Sequence, residues 1–233
     1  AQLPAVGDRH RRGVGLTVER EHVGARHDEA PLRRGLANLL GGALDLFIAP
    51  AYSAPGFAVR SVGFDPAALD VDLRGRHFIV TGANAGLGLA LAGGLARRGA
   101  TVHLLCRDLG RGEAARQGLI AAGAAADQLL LHQVDVSSRA SVRRFAAAYL
   151  ATEQPIHGLI HNAGILPPER VLVPREPGEP DDDVELTFAT NVLGPYLLTR
   201  LLAPRLRASA PARVVFVSSG GMYSQRLDLD DLQ

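Results

Sequence analysis

Residues Thr81-Gly82-Ala83-Asn84-Ala85-Gly86-Leu87-Gly88 follow the apolar run Phe78-Ile79-Val80. A buried strand that runs into a glycine-rich turn, which in turn opens a helix, is suited to hold a pyrophosphate. Gly82 permits the tight turn, Gly86 lets the backbone approach the phosphates, and Gly88 lets the helix pack on the strand. The helix N-terminus then aims free N–H groups and its positive dipole end at the anion. The spacing, Thr-Gly, three residues, then Gly-x-Gly, differs from the commoner dinucleotide fingerprint G-x-G-x-x-G.

Such a turn needs a sheet beneath it. From about residue 76 strand and helix patterns alternate. Strands are expected at 77–81, 101–106, 129–134, 157–161 and 213–218, with amphipathic stretches at 86–98, 109–123, 138–152 and 183–208. Continuous apolar runs such as Val102-His103-Leu104-Leu105-Cys106 and Val214-Val215-Phe216-Val217 suit a parallel sheet buried on both faces. The order predicts an α/β fold, a doubly wound parallel sheet of Rossmann type in a single domain over 76–233. The stretch 166–182, with five prolines, is expected as an irregular loop beside the end of the fourth strand, where open α/β sheets bind ligands.

Two segments precede that domain. Residues 1–35, rich in Arg, His and Gly, are expected to form a flexible tail. Residues 36–75 are an apolar helical lead-in, whose part 36–50 is a helix candidate behind Arg33-Arg34. That helix is expected to pack on the domain or a partner, with contact to a membrane surface as the alternative. It is too short to span a bilayer.

Composition narrows the classes. The chain has 233 residues, 47% of them hydrophobic, enough for one large core. A formal net charge of +1 gives no argument for binding nucleic acid. The lone Cys106 excludes a disulfide framework and suits a reducing compartment, so a cytoplasmic site is expected, with membrane association as the variant. Of the eight His, five (His10, His22, His27, His103 and His132) show no metal-ligand spacing and none of these pairs with a Cys, so no metal site is expected. All 25 basic residues are Arg, and the chain has no Lys.

Five features in order resemble the short-chain dehydrogenase/reductase family over about residues 76–233. They are the turn at 81–88, Asp135-Val136 ending the third strand, Asn162-Ala163-Gly164 after the fourth, Asn191 in the long fourth helix, and Ser218-Ser219 after the fifth. Within that family the chain is most similar to the dehydrogenase/reductase member-12 type and the retinol-dehydrogenase-like enzymes. That likeness is carried by Leu104-Leu105-Cys106-Arg107-Asp108, Glu185 through Asn191, Val217 through Met222, and Asp230-Asp231-Leu232-Gln233.

The resemblance implies roles. Thr81, Gly82, Asn84, Gly86, Leu87 and Gly88 would form the phosphate turn. Asp135, beside Val136, would accept from the adenine amino group; its plain alternative is a cap for the following helix. Asn162, Ala163 and Gly164 would bound the nicotinamide ribose, or form an ordinary strand-to-loop turn. His161, where the family more often has Asn, is expected to matter little. Ser219 would hydrogen-bond the substrate oxygen, with Ser218 the alternative one register away. Asn191 would hold a water in a proton relay. An acid after the second strand would bind the ribose 2′-hydroxyl of NAD, whereas Arg107 can pair a 2′-phosphate, so NADP is expected over NAD. Asp108 next door opposes this, and a solvated Arg107 is the plain alternative.

The family's acid/base is a Tyr followed four positions later by a Lys. No Lys stands anywhere in this sequence, and Leu227 lies four beyond Tyr223. The expectation is therefore a C-terminally truncated sequence. Its full-length form would pass hydride between NADP and a small apolar carbonyl or alcohol substrate, and could form a homo-oligomer. The alternative is a nucleotide-binding sensor or scaffold without turnover. Truncation would also leave strand 213–218 as an open apolar edge.

Overall fold

The structure is a computed structural model that describes residues 53–173 and 184–223. The tail at 1–35, the helix candidate at 36–50, Pro174, Pro177 and Pro180 of the loop, and Asp230 through Gln233 lie outside the described residues. The chain divides into two compact units, Ala1–Phe64 and Asp65–Gln233. The described part of the first is a helix, α1 (Ala54–Ser61), with Pro55 in its first turn, where a missing N–H is harmless. Phe57 and Phe64 meet edge to face there.

The second unit alternates strand and helix: β1 (His77–Thr81), α2 (Gly86–Ala96), β2 (Thr101–Cys106), α3 (Leu109–Ala121), β3 (Leu129–Gln133), α4 (Arg139–Ala151), β4 (Gly158–His161), α5 (Gly194–Ala208) and β5 (Arg213–Phe216). The five strands pair in parallel in the order β3-β2-β1-β4-β5. This is the doubly wound α/β sheet expected from the sequence. The strand order reverses between β1 and β4, which opens a crevice at their carboxyl ends.

Alternation along each strand makes two cores. Ile79, Leu105 and Leu159 join Val142, Phe145, Leu198 and Leu202 on the face covered by α4 and α5. Val80, Leu104 and Ile160 join Ala92, Ala96 and Leu119 on the face covered by α2 and α3. At the sheet edge, β5 is exposed along its whole length, with Phe216 57% accessible.

Two details differ from the sequence reading. The stretch 183–208 is not one helix. It begins as a single turn, Leu186–Phe188, passes through a π-helical segment, Ala189–Leu193, and only then becomes α5. The Gly194 N–H reaches back five residues to the Ala189 carbonyl, and Pro195 has no N–H to restore the ordinary spacing. The loop after β4 is also tied at its base: Leu172 bridges Glu185, and the Val173 N–H donates to the Val184 carbonyl at 2.9 Å.

Candidate active site

Thr81 ends β1, and the chain turns through Gly82 at φ +65° and Gly86 at φ +53°, values that L side chains rarely adopt. The two sides of this turn differ. A Cβ at Gly86 would meet nothing within 4 Å, whereas one at Gly88 would collide with the Asn162 amide nitrogen and the Gly82 carbonyl. The turn is therefore packed against the protein and open toward the crevice. No side chain caps α2, whose N-cap position is Ala85. Its first N–H groups are left for another acceptor. Asn84 is half-buried beside the turn and Leu87 is exposed.

Thr81 also joins the two strands that flank the crevice. Its Oγ1 accepts from the N–H groups of Asn162 and Ala163, each at 3.0 Å. The Asn162 side chain reaches back to donate to the carbonyls of Thr81 at 3.1 Å and Gly82 at 3.3 Å. Three residues on, Asn191 grips Ile165 twice: Oδ1 accepts from the Ile165 N–H, and Nδ2 donates to the Ile165 carbonyl, both at 2.9 Å. The structure thus joins Thr81, Gly82, Asn162 and Ala163 in one hydrogen-bonded frame, with Gly88 packed against it and Gly164 beside the Asn191 side chain. Sequence reasoning missed Ile165, which contributes only backbone.

Asp135, just past β3, is half-buried, and its Oδ1 accepts from the Ser137 N–H at 2.9 Å and the Ser137 hydroxyl at 2.6 Å. The cap of α4 is Ser138, whose hydroxyl accepts from the Ser141 N–H at 3.0 Å. The plain alternative for Asp135, a helix cap, is therefore not its place. Buried Val136 follows, and its carbonyl lies where a Cβ on Gly194 would be.

At the end of β2, Arg107 is exposed and its backbone carbonyl accepts from the Gln133 side chain at 3.4 Å. Asp108 is engaged elsewhere. It caps α3, accepting from the Arg111 N–H at 2.8 Å, and its second oxygen lies 3.7 Å from the Arg111 guanidinium. These contacts, the backbone one first, hold its carboxyl below the ordinary range.

Ser218 and Ser219 follow β5 at the same end of the sheet as Asn162–Gly164, because β4 and β5 run parallel and the Val217 N–H donates to the His161 carbonyl at 2.9 Å. Ser219 is exposed, and its Oγ accepts from the Gly221 N–H at 3.1 Å. His161 has a larger structural part than expected. It is buried, its Nε2 lies 2.8 Å from the Thr199 hydroxyl on α5, and its ring stacks on Phe216. Its Nδ1 is the one buried side-chain polar atom among the described residues that has no partner. Burial pushes its pKa down to about 4. The available signal was a polar residue closing an otherwise apolar strand.

An open glycine turn, an uncapped helix N-terminus and a switch point bridged by Thr81 and Asn162 define a dinucleotide-binding α/β protein. Residues 76–226 match the short chain dehydrogenase family, and the chain belongs to it. It is similar to dehydrogenase/reductase SDR family member 12 of Bos taurus, at 41% identity over 78% of this chain and 55% of that protein. It is similar also to retinol dehydrogenase 12 of Bos taurus, at 43% identity over 70% of this chain and 49% of that protein. Among solved structures it resembles a metagenomic short-chain oxidoreductase in complex with NADP, at 32% identity, 62% of each chain and a TM-score of 0.51. The chain spans about half the length of the curated relatives it matches. Among the described residues, no helix is long and apolar enough to cross a membrane and no cluster could hold a metal ion.

Proposed function

We propose that this chain binds NADP in preference to NAD, and that the whole protein is an oxidoreductase acting on a small apolar alcohol or carbonyl compound. The observation that carries the cofactor preference is the contrast at the end of β2. Arg107 is exposed, while the neighbouring acid that would repel a 2′-phosphate is bound into the cap of α3. The turn fits the rest of the cofactor: its open side at Gly86 leaves room for phosphates, and the uncapped α2 supplies donors. Asp135 retains Oδ2, which takes no hydrogen bond from a described residue, as an acceptor for the adenine amino group.

The bound cofactor would supply or take the hydride. Ser219, exposed at the carboxyl edge of the sheet, would hold the substrate oxygen and stabilise charge that develops on it. Asn191 would hold a relay water through its backbone carbonyl, which Pro195 cannot occupy as a helical donor. Its side chain, closed on Ile165, would meanwhile fix the loop after β4. Asn162 would shape the ribose region indirectly, because its amide already holds the phosphate turn. Leu166, 90% accessible, with the exposed Val171 and Leu172, supports an apolar substrate. No Lys stands in these 233 residues, so the Tyr-x-x-x-Lys pair of the proposed reaction has to come from outside them.

The test is a fluorescence titration of the protein with NADPH and with NADH. The expected result is tighter binding of NADPH, with the preference lost in Arg107→Ala. Binding of neither nucleotide would overturn the proposal. Substrate class is tested on the longer protein with matched panels of apolar and polar aldehydes, and a preference for the polar panel would contradict it.

A further inference from the structure

Four strands that are neighbours in the sheet each bring an imidazole to one row. His157, immediately before β4, accepts at Nδ1 from the His77 N–H at 2.9 Å, and the His157 N–H donates to the His77 carbonyl at 2.9 Å. His77 Nδ1 lies 3.4 Å from His103 Nε2, and His103 Nδ1 lies 3.0 Å from His132 Nε2. Consecutive rings are stacked at interplanar angles of 26–29°. The row lies under α4, where Tyr149 meets His103 edge-on and Phe145 meets His132 edge-on. The Tyr149 hydroxyl is not part of it, since it donates to the Pro155 carbonyl at 2.9 Å. His103 is fully buried, and both flanking rings are half-buried.

The proton count of such a row is constrained. Each ring–ring contact needs one proton, neither none nor two. Three neutral imidazoles carry three protons: one for each of the two contacts and one at either end. A fourth proton fits at the other end without breaking a contact, and its charge is then common to the three rings. A fifth would place two N–H groups face to face. The charged neighbours that act on the surroundings are Arg76 beside His157 and Arg205 beside Tyr149, both cationic. No described acid acts on the row to favour extra protons.

We propose that His77, His103 and His132, with His157 at the β4 end, form a shared-proton clasp that holds four strands together while it carries at most one proton beyond the neutral set, and that a second such proton parts them. Protonation of His157 would likewise remove the acceptor for the His77 N–H. Burial opposes charge on all four rings, in keeping with a neutral clasp at ordinary pH. The clasp lies away from the phosphate turn, since His77 begins the strand that Thr81 ends. Cofactor binding and the clasp are therefore separable.

The test is long-range proton–nitrogen NMR on the whole chain labelled with ¹⁵N-histidine, followed from neutral pH into acid. His157 should show an unprotonated Nδ1. His77, His103 and His132 should respond at one common midpoint with net uptake of one proton. The next uptake should coincide with faster amide exchange in β1, β2 and β3. In His132→Phe the midpoint of His77 and His103 should move by more than about half a pH unit, a shift of the size that loss of one hydrogen-bonded neighbour produces. Three unrelated midpoints in the unsubstituted protein would overturn the proposal, as would unchanged curves in His132→Phe. The titration of the unsubstituted protein decides the matter even where the variant fails to fold.

Discussion

Asn191 and Ile165 are held to each other by two hydrogen bonds of 2.9 Å, one given and one taken by the Asn191 amide. This pair fixes the segment after β4 to the π-helical turn that precedes α5. Replacing Asn191 with Leu removes both bonds, at about 0.5–1.5 kcal/mol each. The expected result in thermal unfolding is a fall of roughly 2–12 °C. Asn191→Asp, which keeps the acceptor, should fall less. Equal losses in the two variants would show that the pair does not act as described.

Thr81 should respond differently to two close replacements. Its Oγ1 satisfies the N–H groups of Asn162 and Ala163. Thr81→Val keeps the shape and strands both donors, at about 1–3 kcal/mol for each. Thr81→Ser keeps the hydroxyl and should unfold near the original temperature. Denaturant unfolding of the two variants checks this, and a stable valine variant would contradict it.

The packed side of the phosphate turn makes Gly88 the least tolerant position in it. Gly88→Ala drives a methyl group into the Asn162 amide and the Gly82 carbonyl. Overpacking of this kind costs about 1–3 kcal/mol, and the turn must shift to relieve it. NADPH affinity should fall at least tenfold, read by fluorescence titration. At Gly86 the same methyl group meets open space but demands the left-handed backbone.

Acid should destabilise the fold well before its carboxylates titrate. Burial lowers the folded-state pKa of His103 to about 3 and of His161 to about 4, against 6.5 for the free side chain. The unfolded chain therefore binds more protons over that interval. Stability is fully present above about pH 6.5 and falls as pH drops toward these values, by at most about 1.4 kcal/mol per pH unit for each histidine. Urea midpoints between pH 7 and pH 4.5 check the slope. Flat midpoints over that range would contradict it.

The strands and the phosphate turn were legible because they rest on local signals: continuous apolar runs and glycines at a fixed spacing. Strand ends moved by a residue or two, as at Gln133 and Gly158. The break before α5 was hidden, since Gly194-Pro195 reads as a soft spot within an amphipathic stretch and the carbonyl of Val136, far away in sequence, decides how close the helix comes. The histidine row was invisible for a related reason. Positions 77, 103, 132 and 157 have no common spacing, and only the parallel sheet brings them together: His103 lies two residues beyond the register partner of His77, and His132 two beyond that of His103. Asn162 was placed in the right region, but its grip on the turn depends on a strand 80 residues earlier in the chain.

The exposed edge at β5 has a consequence for handling. Val214, Val215, Phe216 and Val217 are all accessible, and exposed apolar edges template association. Phe216→Lys should raise the concentration at which light scattering first appears. No change would show that this edge is not the contact.

The most direct measurement compares the dissociation constants of NADPH and NADH for the unsubstituted chain and for Arg107→Ala at fixed ionic strength. A charge-assisted pair with the 2′-phosphate is worth about 1.5–3 kcal/mol, so NADPH should bind at least tenfold tighter than NADH, and the variant should lose that margin with NADH affinity unchanged. Equal affinities in the unsubstituted chain, or a margin that survives in Arg107→Ala, would contradict the account.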